Sequence, residues 1–504
     1  MEERYPALKG FALVLGAFIL SFGNFIVVLD TTVTNVAIPT ISGDLGVSTT
    51  QGTWVITTYA VAEAITVPLT GWLSKQFGEV RVFLISVIGF VIFSTLCGLS
   101  SSLEFLIIFR IFQGLTAGPI IPLSATLLLS IFPKDKSNVA MAIWGMMTVV
   151  APIFGPILGG YISDNWHWAW IFYINIFFGL ILIFGTIFVL KDRETKITKT
   201  KIDYVGLFLL IIFVSAFQIM LDKGRELDWF ESTYITTCAI ISFISLVLFI
   251  IWELTQEYPI LDLSVAKSKN WTISTLILSF TFAVFFGNVL ISPLWLQQIM
   301  GYTATWSGIA VAPIGILAVI SSPIVGKLIP KIDSRLIVIY GMAVLAIAFY
   351  MRALLNIDAT FYSVAIPTLI LGAGIPACMI TLTSLGISEL KPNQITSGAG
   401  LQNFLRIMAM AIGSSLSQTY WEHMQKVNRV ELLNAQDYSQ KIEMIKHLNS
   451  DFTTQSAYIY FSNMIQKQAV MLATNDFYAI ATILIILFGF LAFFLNPLHK
   501  KVVA

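Results

Sequence analysis

Long apolar stretches separated by short polar ones run along nearly the whole chain. A membrane span needs roughly 20 mostly apolar residues. Fourteen stretches meet that need, near 11–39, 51–73, 81–100, 103–132, 138–163, 167–190, 204–221, 233–253, 272–297, 304–328, 335–354, 361–387, 394–421 and 475–496. Runs such as LILIFGTIFVL (180–190) do not alternate apolar and polar residues, so the pattern predicts helices rather than the strands of a barrel. The first apolar run, after MEERYPALKG, is too long for the core of a signal peptide and reads as a retained first span. The predicted fold is an all-α polytopic membrane protein of 14 helices.

Composition agrees. Of 504 residues, 57% are apolar and 11% charged, far too few charges to clothe a soluble surface. With 29 Lys and Arg against 28 Asp and Glu, the chain is no strongly basic nucleic-acid binder. Its three cysteines, Cys97, Cys238 and Cys378, lie far apart in apolar runs, which predicts neither disulfides nor a metal site. A phosphate-binding GxxxxGK[ST] loop is absent from the sequence, which argues against an ATP-driven pump. With the N-terminus inside, 19 Lys and Arg fall on inside segments and three (Lys223, Arg225 and Arg352) on short outside loops. That asymmetry predicts cytoplasmic termini.

Two polar inside stretches divide the spans into six, two and six: residues 1–190, then 191–270 with two extra helices, then 271–504. A weak echo relates the outer sets. TW at 53–54 precedes Pro68 and Gly71, and TW at 305–306 precedes Pro323 and Gly326. Residues 422–474 are polar and mixed in charge, and predict an outside helical pair able to meet a membrane surface or a partner.

Charges inside spans are costly and normally face the bundle interior. Asp30, Glu63, Arg110 and Arg406 are such charges. At about 1.5 Å per residue, Asp30 and Arg110 both lie roughly 10–14 Å below the outside surface, so they are placed to pair. Glu63 lies nearer the midplane. A carboxylate balanced between burial and a nearby Arg suits proton exchange, and a static ion pair is the alternative. Arg406 is a candidate for an acidic substrate or for helix packing. Asn24, Thr31, Thr34, Asn35, Gln113 and Asn288 are polar groups in apolar runs and candidates for a cavity lining. The 272–297 span carries no acid for a dication, which favours amphipathic anions and neutral compounds. Gly155 and Gly159 are one turn apart and predict close helix approach, and Pro156 predicts a bend.

Several motifs share a register. LDTTVTNVAIP (29–39), GWLSKQFGEVR (71–81), LIIFRIFQG (106–114), APIFGPILGG (151–160), WHWAWIFYIN (166–175) and LDKGRELDWF (221–230) resemble, in order, motifs of the 14-helix drug:proton antiporters (EmrB/QacA type) of the major facilitator superfamily. The resemblance spans the chain and is strongest to the EmrB-type branch. It implies two six-helix halves plus two extra helices, and proton-coupled export of hydrophobic or amphipathic compounds. Protons are the coupling ion, with no further cofactor. Asp30 and Arg110 lie in its motifs and are implied in coupling, as are Gly155, Pro156, Gly159 and Gly160 in a seal against proton leak; Glu63 is a coupling candidate from its buried charge, with a water-exposed cavity wall as the alternative. It also implies a bacterial inner-membrane location and partnership with a periplasmic adaptor (membrane fusion) protein and a TolC-like outer-membrane channel. An exporter of one metabolite, such as a lipid or siderophore, is the alternative, and a non-transporting sensor a more distant one. Two positions depart from the pattern. Lys75 stands where the loop motif usually has Asp, and Ala169 stands where Arg usually lies between the tryptophans.

Overall fold

A computed structural model describes residues 5–133, 136–198, 201–256, 259–391, 394–434 and 454–497. Lys134, Lys199, Lys500, Lys501 and the stretch 435–453 lie outside the described residues. The described residues form helices and no strand. The first six long helices are α1 (Gly10–Asp44), α2 (Trp54–Phe77), α3 (Glu79–Gly98), α4 in two pieces (Leu103–Ala117 and Ile120–Ile131), α5 (Ser137–Asn165) and α6 (Trp170–Val189). Two follow, α7 (Tyr204–Gly224) and α8 (Thr233–Thr255). The last six are α9 (Lys269–Gln298), α10 in two pieces (Ala304–Val311 and Pro313–Leu328), α11 (Ser334–Ala353), α12 (Phe361–Ser388), α13 (Ile395–Asn434) and α14 (Thr454–Gly489). Both interrupted helices break at a proline, Pro119 and Pro313, which lacks the N–H that would continue the ladder.

By length and apolar content, 12 of these are candidate membrane spans; α2 and α13 are not. These two more polar helices pack against each other. A helix that faces protein rather than lipid tolerates Glu63 or Arg406. Burial sorts the others: the most apolar window of α12 is 78% buried and that of α8 only 28%, so α12 is central and α8 faces the surroundings.

One face of the bundle, here the proximal face, gathers Leu8, which donates to the Ile131 carbonyl at 2.9 Å, and Asn496, which donates its backbone N–H to Asn270 Oδ1 at 2.7 Å. There the structure answers the Lys75 departure. Glu194, from the segment after α6, accepts from the backbone N–H of Val80 and of Arg81, each at 3.0 Å. Thr195 Oγ1 accepts from Glu79 N at 3.0 Å. A carboxylate from elsewhere in the chain therefore caps the N-terminus of α3, where unpaired donors and the helix dipole favour negative charge. Gly78 sits at φ +92°, and a side chain there would strike the Glu194 carboxyl. In the related loop after α10, Asp333 caps its own helix, accepting from Arg335 N at 2.9 Å.

At the opposite, distal face the C-terminal turn of α7 bridges helices of both six-helix sets. Lys223, almost fully buried, donates to Thr53 Oγ1 before α2 at 2.8 Å and pairs with Glu226 at 2.9 Å. Arg225 pairs with Glu422 of α13 at 2.9 Å, and Ser415 of α13 donates to the Leu221 carbonyl at 2.7 Å. The extra helices are thus pinned to α2 and α13 together.

The polar region 422–474 is not a separate helical pair where it is described. It continues the spans themselves. At about 1.5 Å per residue the 40-residue α13 is about 60 Å long, well beyond a bilayer core. Asn428 donates to Asp476 at 3.2 Å and Trp421 Nε1 to Thr474 Oγ1 at 2.9 Å, holding α13 to α14.

Candidate functional site

Asp30 and Arg110 meet. Arg110 Nη1 donates to Asp30 Oδ2 at 2.6 Å, and both side chains are fully buried. Asp30 Oδ1 accepts from Asn175 Nδ2 of α6 at 2.6 Å and from Gln113 Nε2 at 3.1 Å. Gln113 Oε1 accepts in turn from Arg110 Nη1 at 2.9 Å, and Arg110 Nε donates to the Val55 carbonyl at 3.1 Å. Asn175 also donates to Ser94 Oγ of α3 at 3.0 Å. The guanidinium lies 4.1 Å from the Tyr59 ring centroid, within cation–π range. Five helices, α1, α2, α3, α4 and α6, therefore converge on one carboxylate. All three side chains that reach Asp30 donate to it.

Local packing fixes this geometry. A Cβ on Gly114 or Gly118 of α4 would collide with the backbone of α2 at Tyr59 and Glu63, so only glycine lets α4 approach there. That contact holds Glu63, half-buried, beside the pair. Its charge acts on Asp30, Arg110 and Arg406. On the other side of α1, a Cβ on Gly155 would strike Thr32 and one on Gly159 would lie 2.9 Å from the Val33 carbonyl. Pro156 lies in the same stretch of α5, and Gly160 is buried. Ile157 faces Gly308 of α10 closely enough to exclude any side chain there. This segment is thus clamped between α1 and α10.

The remaining polar candidates separate. Gln113 belongs to the ion-pair cluster, not to a cavity wall. Thr34 Oγ1 donates to the Asp30 backbone carbonyl at 2.7 Å and Thr31 Oγ1 to the Val27 carbonyl at 3.3 Å, so both are satisfied within α1. Asn24 donates to Thr148 of α5. Asn35, placed with these in the lining, is exposed, because it lies about 100° around α1 from the buried Thr34. Asn288 does line a small cavity with Pro152 and Pro156, and it accepts hydrogen bonds from Arg352 and Tyr478. Arg406 is buried, donates to Asn403, and borders a cleft between α4, α5, α9, α12 and α13.

Two residues escaped the sequence reading. Asn175 closes the WHWAWIFYIN motif and is the lone amide in the apolar run of α6; that was its signal. Arg352, assigned to an outside loop, is 1% exposed in the last turn of α11. It donates to Ser292 at 2.8 Å and lies 5.0 Å from the Tyr478 ring. Its place at a helix end made it read as a loop charge.

A family model described as Major Facilitator Superfamily matches residues 20–414. The chain belongs to the Major Facilitator Superfamily. Like other members of this superfamily it is a secondary transporter of many membrane spans, not an enzyme. It is 43% identical to "Multidrug export protein EmrB" of Escherichia coli (strain K12), over 99% of this chain and 98% of that protein. It is also 43% identical to "Fatty acid resistance protein FarB" of Neisseria gonorrhoeae, over 96% of each. Among solved structures, the human organic anion transporter MFSD10 aligns with TM-score 0.57 at 12% identity, covering 95% of this chain and 100% of that one. A bacterial homolog of the human lysosomal transporter Spinster, in an inward-facing unoccupied conformation, aligns with TM-score 0.52 at 13% identity, covering 96% and 98%. At these identities the two structures speak for the superfamily fold alone.

Proposed function

We propose that this superfamily member exports hydrophobic and amphipathic compounds across a bacterial inner membrane in exchange for protons. The proximal face is cytoplasmic and the distal face periplasmic in this reading. The observation that carries it is the carboxylate of Asp30, fully buried and accepting from Arg110, Asn175 and Gln113. Protonation removes the charge of Asp30 and replaces one of its acceptor lone pairs with an O–H while three donors point at it. The three contacts then lose their charge assistance, which weakens the hold of α4 and α6 on α1. Proton binding at one carboxylate is thereby converted into rearrangement of α4 and α6 against α1. The two six-helix sets rock about the cleft between them, as repeat-built transporters do. The names of the relatives EmrB and FarB support the substrate range, drugs and fatty-acid-like anions.

The same reading assigns the distal extension to a periplasmic adaptor protein, itself joined to a TolC-like outer-membrane channel. Tyr458, Ile459 and Tyr460 at the start of α14 are each more than half exposed, a cluster suited to protein contact. Purified protein in liposomes loaded with a pH-sensitive dye tests the exchange. Addition of substrate must move protons in the opposite direction, and transport without proton movement refutes it.

A further inference from the structure

We infer that the cleft beside Arg406 is a binding site for the carboxylate head of a single-tailed amphipathic anion; this rests on the exporter reading and names where one substrate class sits. Three buried polar atoms on its wall have no partner in the protein: Arg406 Nε, Asn403 Nδ2 and Thr383 Oγ1. Arg406 is 5% exposed and Asn403 8%. Buried donors left unpaired are costly, and two that converge on one cleft call for an acceptor. Among the described residues Arg406 makes no direct ion pair, and the Glu63 carboxylate acts on it only from beyond contact distance. An oxyanion supplies both the charge and the acceptor lone pairs, and a hydroxyl such as Thr383 adds a third donor.

Most of the rest of the cleft is apolar, and its other polar residues, Thr126 and Gln402, have partners within the protein. Leu129 of α4, Met141 of α5, Leu278 of α9 and Ile387 of α12 border it. Leu129 and Ile387 stand at the proximal ends of their helices, and Arg406 lies 11 residues into α13, about 16 Å deep by helical rise. Head and tail therefore have separate places: the head at Arg406, the tail toward the proximal face.

The aromatic faces exclude the opposite charge. An organic cation would be held by the faces of Trp144 and Phe282. Arg406 already occupies both, at 5.5 and 5.0 Å from their centroids. Trp144 is fixed in that pose by donating Nε1 to Ser124 Oγ at 2.8 Å. The site comprises residues of α4 and α5 on one side and of α9, α12 and α13 on the other, so a ligand there senses both six-helix sets at once.

The test measures binding of radiolabelled laurate to the purified full chain in nanodiscs, with dodecanol and dodecyltrimethylammonium as competitors. Laurate binding should be displaced by excess laurate and not by the cation. Arg406→Gln should weaken it at least tenfold, about 1.4 kcal/mol, and Asn403→Leu severalfold. Arg406→Lys, which keeps charge and loses the planar fork, should fall between. Equal displacement by dodecyltrimethylammonium on the unaltered chain overturns the site without any variant. So does unchanged laurate affinity in folded Arg406→Gln. If that variant keeps its laurate affinity and proton-driven export of another drug, the site fails and the exporter reading stands. If laurate binding behaves as stated while no substrate moves protons, the site stands and the exporter reading fails.

Discussion

Replacing Asp30 with Asn removes one charge and keeps the shape. The amide oxygen of Asn can still accept from Asn175 and Gln113, now at 2.6 and 3.1 Å from Oδ1. Its NH₂ then faces Arg110 Nη1, donor to donor, at the position where the ion pair is 2.6 Å long. The guanidinium is 0% exposed and cannot turn to water. Stranding one member of a buried pair costs about 3–5 kcal/mol. Arg110→Gln strands Asp30 in the same way and should cost a similar amount. The double variant removes both charges, so its cost should fall short of the sum of the singles by about 2 kcal/mol or more. The assay is equilibrium unfolding of the purified protein in mixed micelles across all four members of the cycle. Single variants within about 0.5 kcal/mol of the unaltered chain, or a strictly additive double, would show that the pair is not the junction of α1 and α4 described here.

Other consequences follow from neighbouring geometry. Glu194→Ala removes the cap of α3 and should cost about 1–2 kcal/mol; limited proteolysis in the 191–203 segment should speed up, and an unchanged cleavage rate would contradict the cap. Gly78→Ala should cost about 1–3 kcal/mol from its positive-φ, extended backbone alone, measured by the same unfolding assay. Gly118→Leu should separate α4 from α2 and abolish transport in purified protein, and full activity would mean that the contact is dispensable. Changing Tyr458, Ile459 and Tyr460 to Ser should leave transport in vesicles intact while abolishing capture of the adaptor and resistance in cells; equal resistance would remove the partner assignment.

Most of the architecture was legible because lipid imposes a simple rule: each span must be long, apolar and helical. The junction of Asp30 and Arg110 was legible for a related reason. A charge in hydrocarbon needs a partner at its own depth, and depth follows from helical rise. What depended on distant chain segments was hidden. Lys75 stands where the motif usually has Asp, and nothing local revealed that Glu194 caps α3 from beyond α6. Asn175 stood in a recognisable motif, but only the fold brings it to Asp30. Asn288 and Arg406 do border cavities, but several other lining candidates sit elsewhere because polar side chains in helices often have nearer partners than a cavity. Thr34 and Thr31 bond their own helix, Gln113 serves the ion pair, and Asn35 is exposed. Arg352 shows the limit of counting loop charges, since a residue in the last turn of a helix can turn inward.

The central claim is that Asp30 cycles a proton rather than only holding Arg110, and one pair of transport measurements on Asp30→Asn separates the two roles most directly. In liposomes, substrate counterflow needs only alternation of the loaded carrier, whereas accumulation driven by an imposed pH gradient also needs proton exchange. The folded fraction of Asp30→Asn should retain counterflow and lose pH-driven accumulation. Loss of both together, or retention of pH-driven accumulation, would contradict the proton-cycling role.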